Sequence, residues 1–282
     1  MRDLNNLSKP YFIGEIGINH NGDTQIAKKL IDAVNACEWD CAKFQKRNPQ
    51  VCVPDHQKSI MRDTPWGRMT YLDYKYKVEF NTEEYKLINN YSKAKPVDWT
   101  ASVWDIDSLN FLMKFNIPFI KIPSALITDH KLLEECVKTN KQIIMSSGMS
   151  TLKEVDEAFN ILSKSSHKPI VMHTNSSYPT PRNELNLNLI PFYKERYNCT
   201  IGYSGHESDL QPTIVAVTLG AMIIERHITL SHDMWGTDQK SSLEVMGMDQ
   251  LRKRCIDVKD MFGSADKKVT KSEIDIRKKL RG

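Results

Sequence analysis

Three observations predict an α/β protein built as a closed (β/α)8 TIM barrel. Short apolar runs alternate eight times with stretches of helical periodicity. That alternation calls for an all-parallel sheet, and eight strands can close one into a barrel. The 282 residues suit one such domain, which typically needs about 250. Polar and titratable residues recur at the end of the apolar runs, where a barrel carries its chemistry. An open doubly wound sheet is disfavoured because no GxGxxG follows the first run.

The first strand is predicted over 11–18 and its helix over 24–36, where Ile26, Ala27, Leu30, Ile31 and Val34 share one face. Strand two, 41–45, leads into a long connection, 46–80, that is rich in aromatic and charged residues (Trp66, Tyr71, Tyr74, Tyr76). A loop of that length reads as a lid or a partner surface. Helix two covers 82–94. Strand three (97–101), helix three (106–115), strand four (119–122) and helix four (130–139) follow. Strand five (142–146) enters the turn Ser147-Gly148-Met149-Ser150, and Ser150 or Thr151 caps helix five. Strand six (170–173), helix six (within 187–197), strand seven (200–203), helix seven (209–219), strand eight (222–226) and helix eight (248–262) complete the set. The barrel is expected over 1–263, with a basic, polar tail over 264–282.

Composition narrows the function classes. The net charge is only +4, with 39 basic residues scattered among 35 acidic ones, so nucleic acid is not an expected partner. No apolar run approaches the ~20 residues of a membrane helix, and the polar N-terminus does not read as a signal peptide. Six cysteines, none in a CxxC pair, read as reduced thiols in a cytoplasmic protein.

The strand ends carry the candidate chemistry. Strand one ends near Glu15, Asn19 and His20, strand two carries Lys43 and Gln45, and strand three leads to Ser102. Lys121 and Ser124 mark strand four, Ser146 and Ser147 strand five, and His173, Ser176 and Tyr178 follow strand six. Ser204 with His206, and Glu225 with His227, close the set. Two lysines beside several hydroxyls suit a phosphate or carboxylate, because lysine brings a point charge and serine a neutral donor. Two imidazoles on neighbouring strand ends, His206 and His227, can reach one divalent metal.

These residues bring a resemblance with them. The segments Glu15-Ile16-Gly17-Ile18-Asn19-His20-Asn21-Gly22-Asp23, Ala42-Lys43-Phe44-Gln45-Lys46, Ser146-Ser147-Gly148-Met149 and Ser177-Tyr178-Pro179 resemble the sialic acid (N-acetylneuraminate or nonulosonate) synthases. So do Gly202-Tyr203-Ser204-Gly205-His206-Glu207, Glu225-Arg226-His227-Ile228-Thr229 and Trp235-Gly236-Thr237-Asp238-Gln239 with Ser242-Leu243-Glu244. The likeness runs over about 11–262. It implies a condensation of phosphoenolpyruvate with the aldehyde of an open-chain amino sugar such as N-acetylmannosamine, releasing phosphate. By that resemblance Lys43, Ser102, Lys121, Ser124, Ser146, Ser176 and Ser204 cradle phosphoenolpyruvate. Glu15 handles protons, Gln45 orients the reacting groups, and Glu15, Tyr178 and Asp238 face the sugar. Glu15, Gln45, Lys43 and Lys121 form the catalytic set. The metal on His206 and His227 is expected to be Mn2+, with Mg2+ or Co2+ as alternatives, since two nitrogens plus water make an exchangeable site. A homodimer is also implied. Two other readings stay open: a synthase of a different 3-deoxy-2-keto sugar acid, and a weakened barrel that binds a sugar or a partner.

Two departures accompany the resemblance. Where the family places Lys-Ile-Gly-Ser-Gly and an acidic residue, this chain has Lys121-Ile122-Pro123-Ser124-Ala125-Leu126. Leucine accepts no hydrogen bond, which suggests an acceptor that differs on that side. The chain is also expected to lack the family's small antifreeze-like domain, which donates an arginine to the partner's sugar site. Connection 46–80, the tail or another chain would then fill the gap. Arg62, Arg68 and Lys75 are candidates to bind sugar, against the reading of exposed charges on a loop.

Overall fold

A computed structural model describes residues 2–281; Met1 and Gly282 lie outside it. Eight parallel strands close into a barrel: β1 (Tyr11–Gly17), β2 (Cys41–Lys46), β5 (Asp98–Val103), β6 (Phe119–Ile122), β7 (Gln142–Ser146), β8 (Ile170–Thr174), β9 (Ile201–Gly205) and β10 (Ile223–His227). Consecutive barrel strands are neighbours, and β1 pairs with β10 to complete the ring. The strands are buried almost throughout, as a parallel sheet covered on both faces must be.

Side-chain alternation divides each strand between two environments. Outward residues such as Phe12, Phe44, Ala101, Ile120, Met145, Val171 and Ile224 pack under the helices as one large core. Inward residues at the N-terminal end form a second core of Tyr11, Ile13, Cys41, Phe119, Ile144, Ile170, Met172 and Ile223. Two residues further along, the same inward rows become polar: Glu15, Lys43, Lys121, Ser146, Thr174 and Glu225. The barrel therefore has an apolar plug below and a polar floor above.

The surrounding helices are α1 (Thr24–Ala36), α5 (Thr82–Ala94), α6 (Ile106–Leu112), α7 (His130–Lys138), α8 (Leu152–Leu162), α9 (Leu189–Tyr197), α10 (Gln211–Thr218) and α11 (Val245–Phe262). Side-chain caps open α1, α5, α6, α7 and α8. Asn81 opens α5 and Thr151 opens α8, each through a reciprocal capping box with the glutamate three residues on. Helix α6 ends three residues before the predicted 115, and α11 begins three before the predicted 248.

The connection over 46–80 differs most from its reading as one long loop. It holds two single-turn helices, α2 (Pro49–Cys52) and α3 (Asp55–Lys58), a hairpin of β3 (Met61–Thr64) with β4 (Gly67–Thr70), and α4 (Tyr71–Val78). The hairpin is largely exposed and lacks strong alternation, so its sequence gives no strand signal. Trp66 and Tyr74 pack edge-on against Trp235 of the loop after β10, which fixes the connection on the barrel mouth. In the tail, α12 (Glu273–Arg281) is exposed throughout. Among the described residues, no helix is long and apolar enough to cross a membrane.

Candidate active site

The polar floor opens into a pocket at the C-terminal mouth. Strand register assembles it: Glu15 lies level with Lys43 on one side and His227 on the other, and Ser102 is level with both Gln45 and Lys121. Ser204 is level with Glu225 and Thr174. The bulge in β1 after Glu15 puts Gly17 at φ +55°, where a Cβ would lie 3.2 Å from Gln45 Nε2 and 3.3 Å from Glu15 Oε1. Glycine there lets the carboxylate and the amide meet.

Two lysines and two carboxylates fill the floor. Lys43 Nζ contacts Glu15 Oε2 at 2.5 Å, donates to Ser102 Oγ at 2.9 Å and stands 3.5 Å from Glu225. Lys121 Nζ donates to Ser146 Oγ at 2.7 Å and lies 3.7 Å from Glu225. Gln45 Nε2 donates to Glu15 Oε1 at 3.1 Å, and Ser204 Oγ donates to Glu225 Oε1 at 3.2 Å. Burial pulls the Lys43 ammonium down, but Glu15 and Glu225 more than offset it, so its pKa is raised. Lys121 has less compensation, and burial takes it down to about 8. Burial pushes the Glu225 carboxyl up, yet Lys121 and Lys43 outweigh it and hold the group below its ordinary value. Glu225 Oε2 is buried with no hydrogen-bond partner, as expected of a group set for a ligand.

A serine cradle stands beside the lysines. Gly148 N–H donates to Ser124 Oγ at 3.0 Å. A Cβ at Gly148 would come within 2.3 Å of Ser176 Oγ and 2.8 Å of Ser124 Oγ, so only glycine lets the backbone approach both hydroxyls. Ser146, Ser124 and Ser176 thus line one wall, with Lys121 beneath.

The two imidazoles converge on one point. Tyr178 Oη lies 2.8 Å from His206 Nε2 and 3.4 Å from His227 Nε2. His206 Nδ1 is 2.6 Å from the Asn175 carbonyl, a geometry in which Nδ1–H donates and the Nε2 lone pair is left toward the pocket. Burial, then His227, pushes the His206 pKa down to about 3, so the ring is neutral. His227 Nδ1 has no hydrogen-bond partner and lies 4.0 Å from Asp238 Oδ2. Two imidazole nitrogens aimed at one small volume fit a divalent ion. Among the described residues, no group of three or more His, Cys, Asp or Glu gathers as a metal cluster, so the protein would supply few ligands.

The predicted catalytic, phosphoenolpyruvate and metal residues and Tyr178 all line this pocket; Asp238 borders it beside His227, and Arg62, Arg68 and Lys75 are not among its lining residues. His20 does not meet Glu15: it stacks on Phe80 at 4.0 Å, and its Nδ1 accepts from Gly22 N–H. His173 points outward, with Nε2 2.6 Å from the Leu185 carbonyl. The expectation that Leu126 faces the sugar is corrected. Leu126 packs against the outer core while Ala125 lines the pocket, because the 3-10 turn Ser124–Leu126 rotates the leucine away. Glu225, which the family resemblance assigns no role, also lines the pocket. The signal for it is plain: in Ile223-Ile224-Glu225-Arg226-His227, Glu225 shares a face with His227. Arg226 takes the other face and binds Glu207 and Thr213, at 3.0 and 2.9 Å.

A (β/α)8 barrel whose mouth joins two buried lysines, two carboxylates and two convergent imidazoles has the form of an enzyme barrel with its chemistry at the C-terminal ends of the strands. Comparison with known proteins identifies the group. Residues 30–267 match the model of the NeuB family, and the chain belongs to that family. It is 33% identical over 272 residues to the N,N'-diacetyllegionaminic acid synthase of Campylobacter jejuni, covering 95% of this chain and 81% of that one. It is 32% identical to the N-acetylneuraminate-9-phosphate synthase of Mus musculus, covering 96% and 76%. A solved N-acetylneuraminic acid synthetase of Leptospira borgpetersenii superposes with a TM-score of 0.85 at 27% identity, covering 97% and 93%.

Proposed function

We propose that this chain condenses phosphoenolpyruvate with an amino-sugar aldehyde to give a nonulosonic acid and phosphate. The observation that carries the reading is the single pocket in which Lys43, Lys121 and the serine cradle meet Glu15, Glu225 and the His206–His227 pair. Lys43 and Lys121 take the carboxylate and phosphate charges, and the serine hydroxyls hold the remaining oxygens, with Ser124 oriented by the Gly148 N–H. His206 and His227 would hold a divalent ion, manganese before magnesium or cobalt, which would supply Lewis acidity for activating the aldehyde. Tyr178 and Asp238 hold the sugar beside it.

The C3 carbon of phosphoenolpyruvate bonds to the aldehyde carbon, and the aldehyde oxygen gains a proton. Water adds to C2, with Glu15 as the base that accepts its proton. Gln45 fixes the Glu15 carboxylate by its 3.1 Å hydrogen bond. Phosphate leaves with the bridging oxygen, and the oxygen from water becomes the ketone. Of the two water protons, one ends on the new sugar hydroxyl and the other on phosphate.

A homodimer working in the cytoplasm belongs to the same proposal. The dimer rests on the family likeness. The compartment rests on the absence of disulfides among the described cysteines, all of which are free thiols. Phosphate release from phosphoenolpyruvate with manganese is measured across N-acetylmannosamine, diacetamido-trideoxy hexoses, mannose and arabinose 5-phosphate. Release with an amino sugar, lost in His206→Ala, is the expected result. Release only with arabinose 5-phosphate, or with no acceptor at all, overturns the reading.

A further inference from the structure

Gln45 stands between two groups that leave its amide a single orientation. Its Nε2 donates to Glu15 Oε1 at 3.1 Å, and its Oε1 accepts from an Arg47 side-chain N–H. A carboxylate only accepts and a guanidinium only donates, so the amide cannot turn over without losing both bonds. Glu15 depends on that donor for its aim. Its other oxygen, Oε2, contacts Lys43 Nζ at 2.5 Å, and the two contacts together fix the plane of the carboxylate. With the amide reversed, Gln45 Oε1 would face a carboxylate oxygen with no proton between them.

Arg47 is seated for this contact. Its guanidinium carbon lies 4.1 Å from the centre of the Trp104 ring, and its buried Nε makes no hydrogen bond. A guanidinium is weakly hydrated and stacks on an aromatic face, which leaves its outer N–H groups to be aimed. The backbones on both sides are pinned. Trp104 N–H donates to the Lys46 carbonyl at 3.2 Å, which carries the β2–β5 pairing one residue further. Tyr85 Oη donates to the Gln45 carbonyl at 3.1 Å. Lys46 pairs with Glu79 at 2.6 Å, and the Arg47 backbone N–H donates to the same carboxylate at 3.3 Å. Gln45 lines the pocket and Arg47 does not, so Arg47 reaches the reaction through Gln45.

Resting on the reading of Glu15 as the base, we propose that Arg47 is a positioning residue: seated on Trp104, it orients the Gln45 amide and through it the Glu15 carboxylate. Without Arg47 the Gln45 Oε1 loses its donor, the amide rotates, and fewer molecules present Nε2 to Glu15. Lys43, Lys121 and the serines hold phosphoenolpyruvate outside this chain of contacts. The loss therefore falls on turnover and spares the binding of phosphoenolpyruvate.

A double-mutant cycle tests it, with kcat measured with manganese at saturating phosphoenolpyruvate and the amino sugar that the wild type turns over. Arg47→Met should lower kcat about tenfold or more, the scale of one charge-assisted hydrogen bond. The KM for phosphoenolpyruvate should stay within about twofold of wild type, and manganese binding in equilibrium dialysis should not change. In the Gln45→Met background, Arg47→Met should cost less than about a further twofold, because its partner is already gone. Equal losses in the two backgrounds overturn the proposal. So does a wild-type kcat in Arg47→Met, or a loss carried by the KM for phosphoenolpyruvate. If Arg47→Met does not fold by circular dichroism, Trp104→Leu, which removes the platform, takes its place in the same cycle. Absence of turnover in the wild type counts against the synthase reading, and side-chain amide exchange then decides on Arg47. In protein carrying isotope-labelled glutamine, the Gln45 amide is assigned by its loss in Gln45→Met. Its hydrogens should exchange with water about tenfold faster or more in Arg47→Met. Exchange unmoved by Arg47→Met overturns the proposal with or without turnover.

Discussion

Lys121 offers the sharpest single test, because its proton is held less firmly than that of Lys43 in the same pocket. Burial takes its pKa down to about 8, against partial support from Glu225 at 3.7 Å. The sign follows from the charge. Below about 8 the ammonium is present and can bind phosphoenolpyruvate; above it the amine is neutral and the attraction is lost. Between ~pH 7 and ~pH 9 the protonated fraction falls roughly tenfold, and kcat/KM for phosphoenolpyruvate, which reports the free enzyme, should fall with it. Lys121→Gln removes the charge at every pH. One charge-assisted hydrogen bond is worth about 1.5–3 kcal/mol, so the variant should lose roughly 10- to 150-fold at pH 7. Its profile should be flat where the wild type declines. Glu225 still has Lys43 at 3.5 Å, so the fold should persist, which circular dichroism checks. The same alkaline decline in Lys121→Gln, or a loss below about twofold at pH 7, would refute the assignment.

Other outcomes follow from the same geometry. His206→Ala and His227→Ala should each abolish manganese binding in equilibrium dialysis, whereas Tyr178→Phe, which keeps both nitrogens, should retain it. Gly148→Ala places a Cβ 2.3 Å from Ser176 Oγ and should raise the KM for phosphoenolpyruvate while leaving manganese binding unchanged. Arg226→Met breaks the fully buried Arg226–Glu207 pair, at 3.0 Å. That loss should cost about 3–5 kcal/mol and lower the midpoint of thermal unfolding by roughly 6–20 °C; a shift under ~2 °C would contradict it.

Much of the barrel is legible because each strand is a short apolar run followed by a helix, an alternation that survives the long connection between β2 and α5. The catalytic floor is legible for the same reason: Lys43 with Gln45, Ser204 with His206, and Glu225 with His227 are two apart, hence on one face. Two kinds of feature escape. The hairpin Met61–Thr64 and Gly67–Thr70 buries little, so nothing in its pattern distinguishes strand from loop. Leu126 looks like a pocket residue from its place in the motif, yet a single 3-10 turn decides which way it points. Turn geometry of that kind leaves no periodic trace.

The residues proposed to hold the two substrates come largely from two kinds of scaffold, with Ser124, Ser176 and Gly148 of the phosphoenolpyruvate set on loops and Glu15 of the sugar set on β1. Lys43, Ser102, Lys121, Ser146, Ser204 and Glu225 all stand on barrel strands, locked by the sheet and by the apolar plug beneath. Tyr178 and Asp238 stand outside the barrel strands, on the connections that surround the mouth. Mutation can therefore reshape the acceptor side by editing loops, with little strain passed to the half that handles phosphoenolpyruvate. One rigid enolpyruvyl half can be kept while successive rims are tried against new sugars.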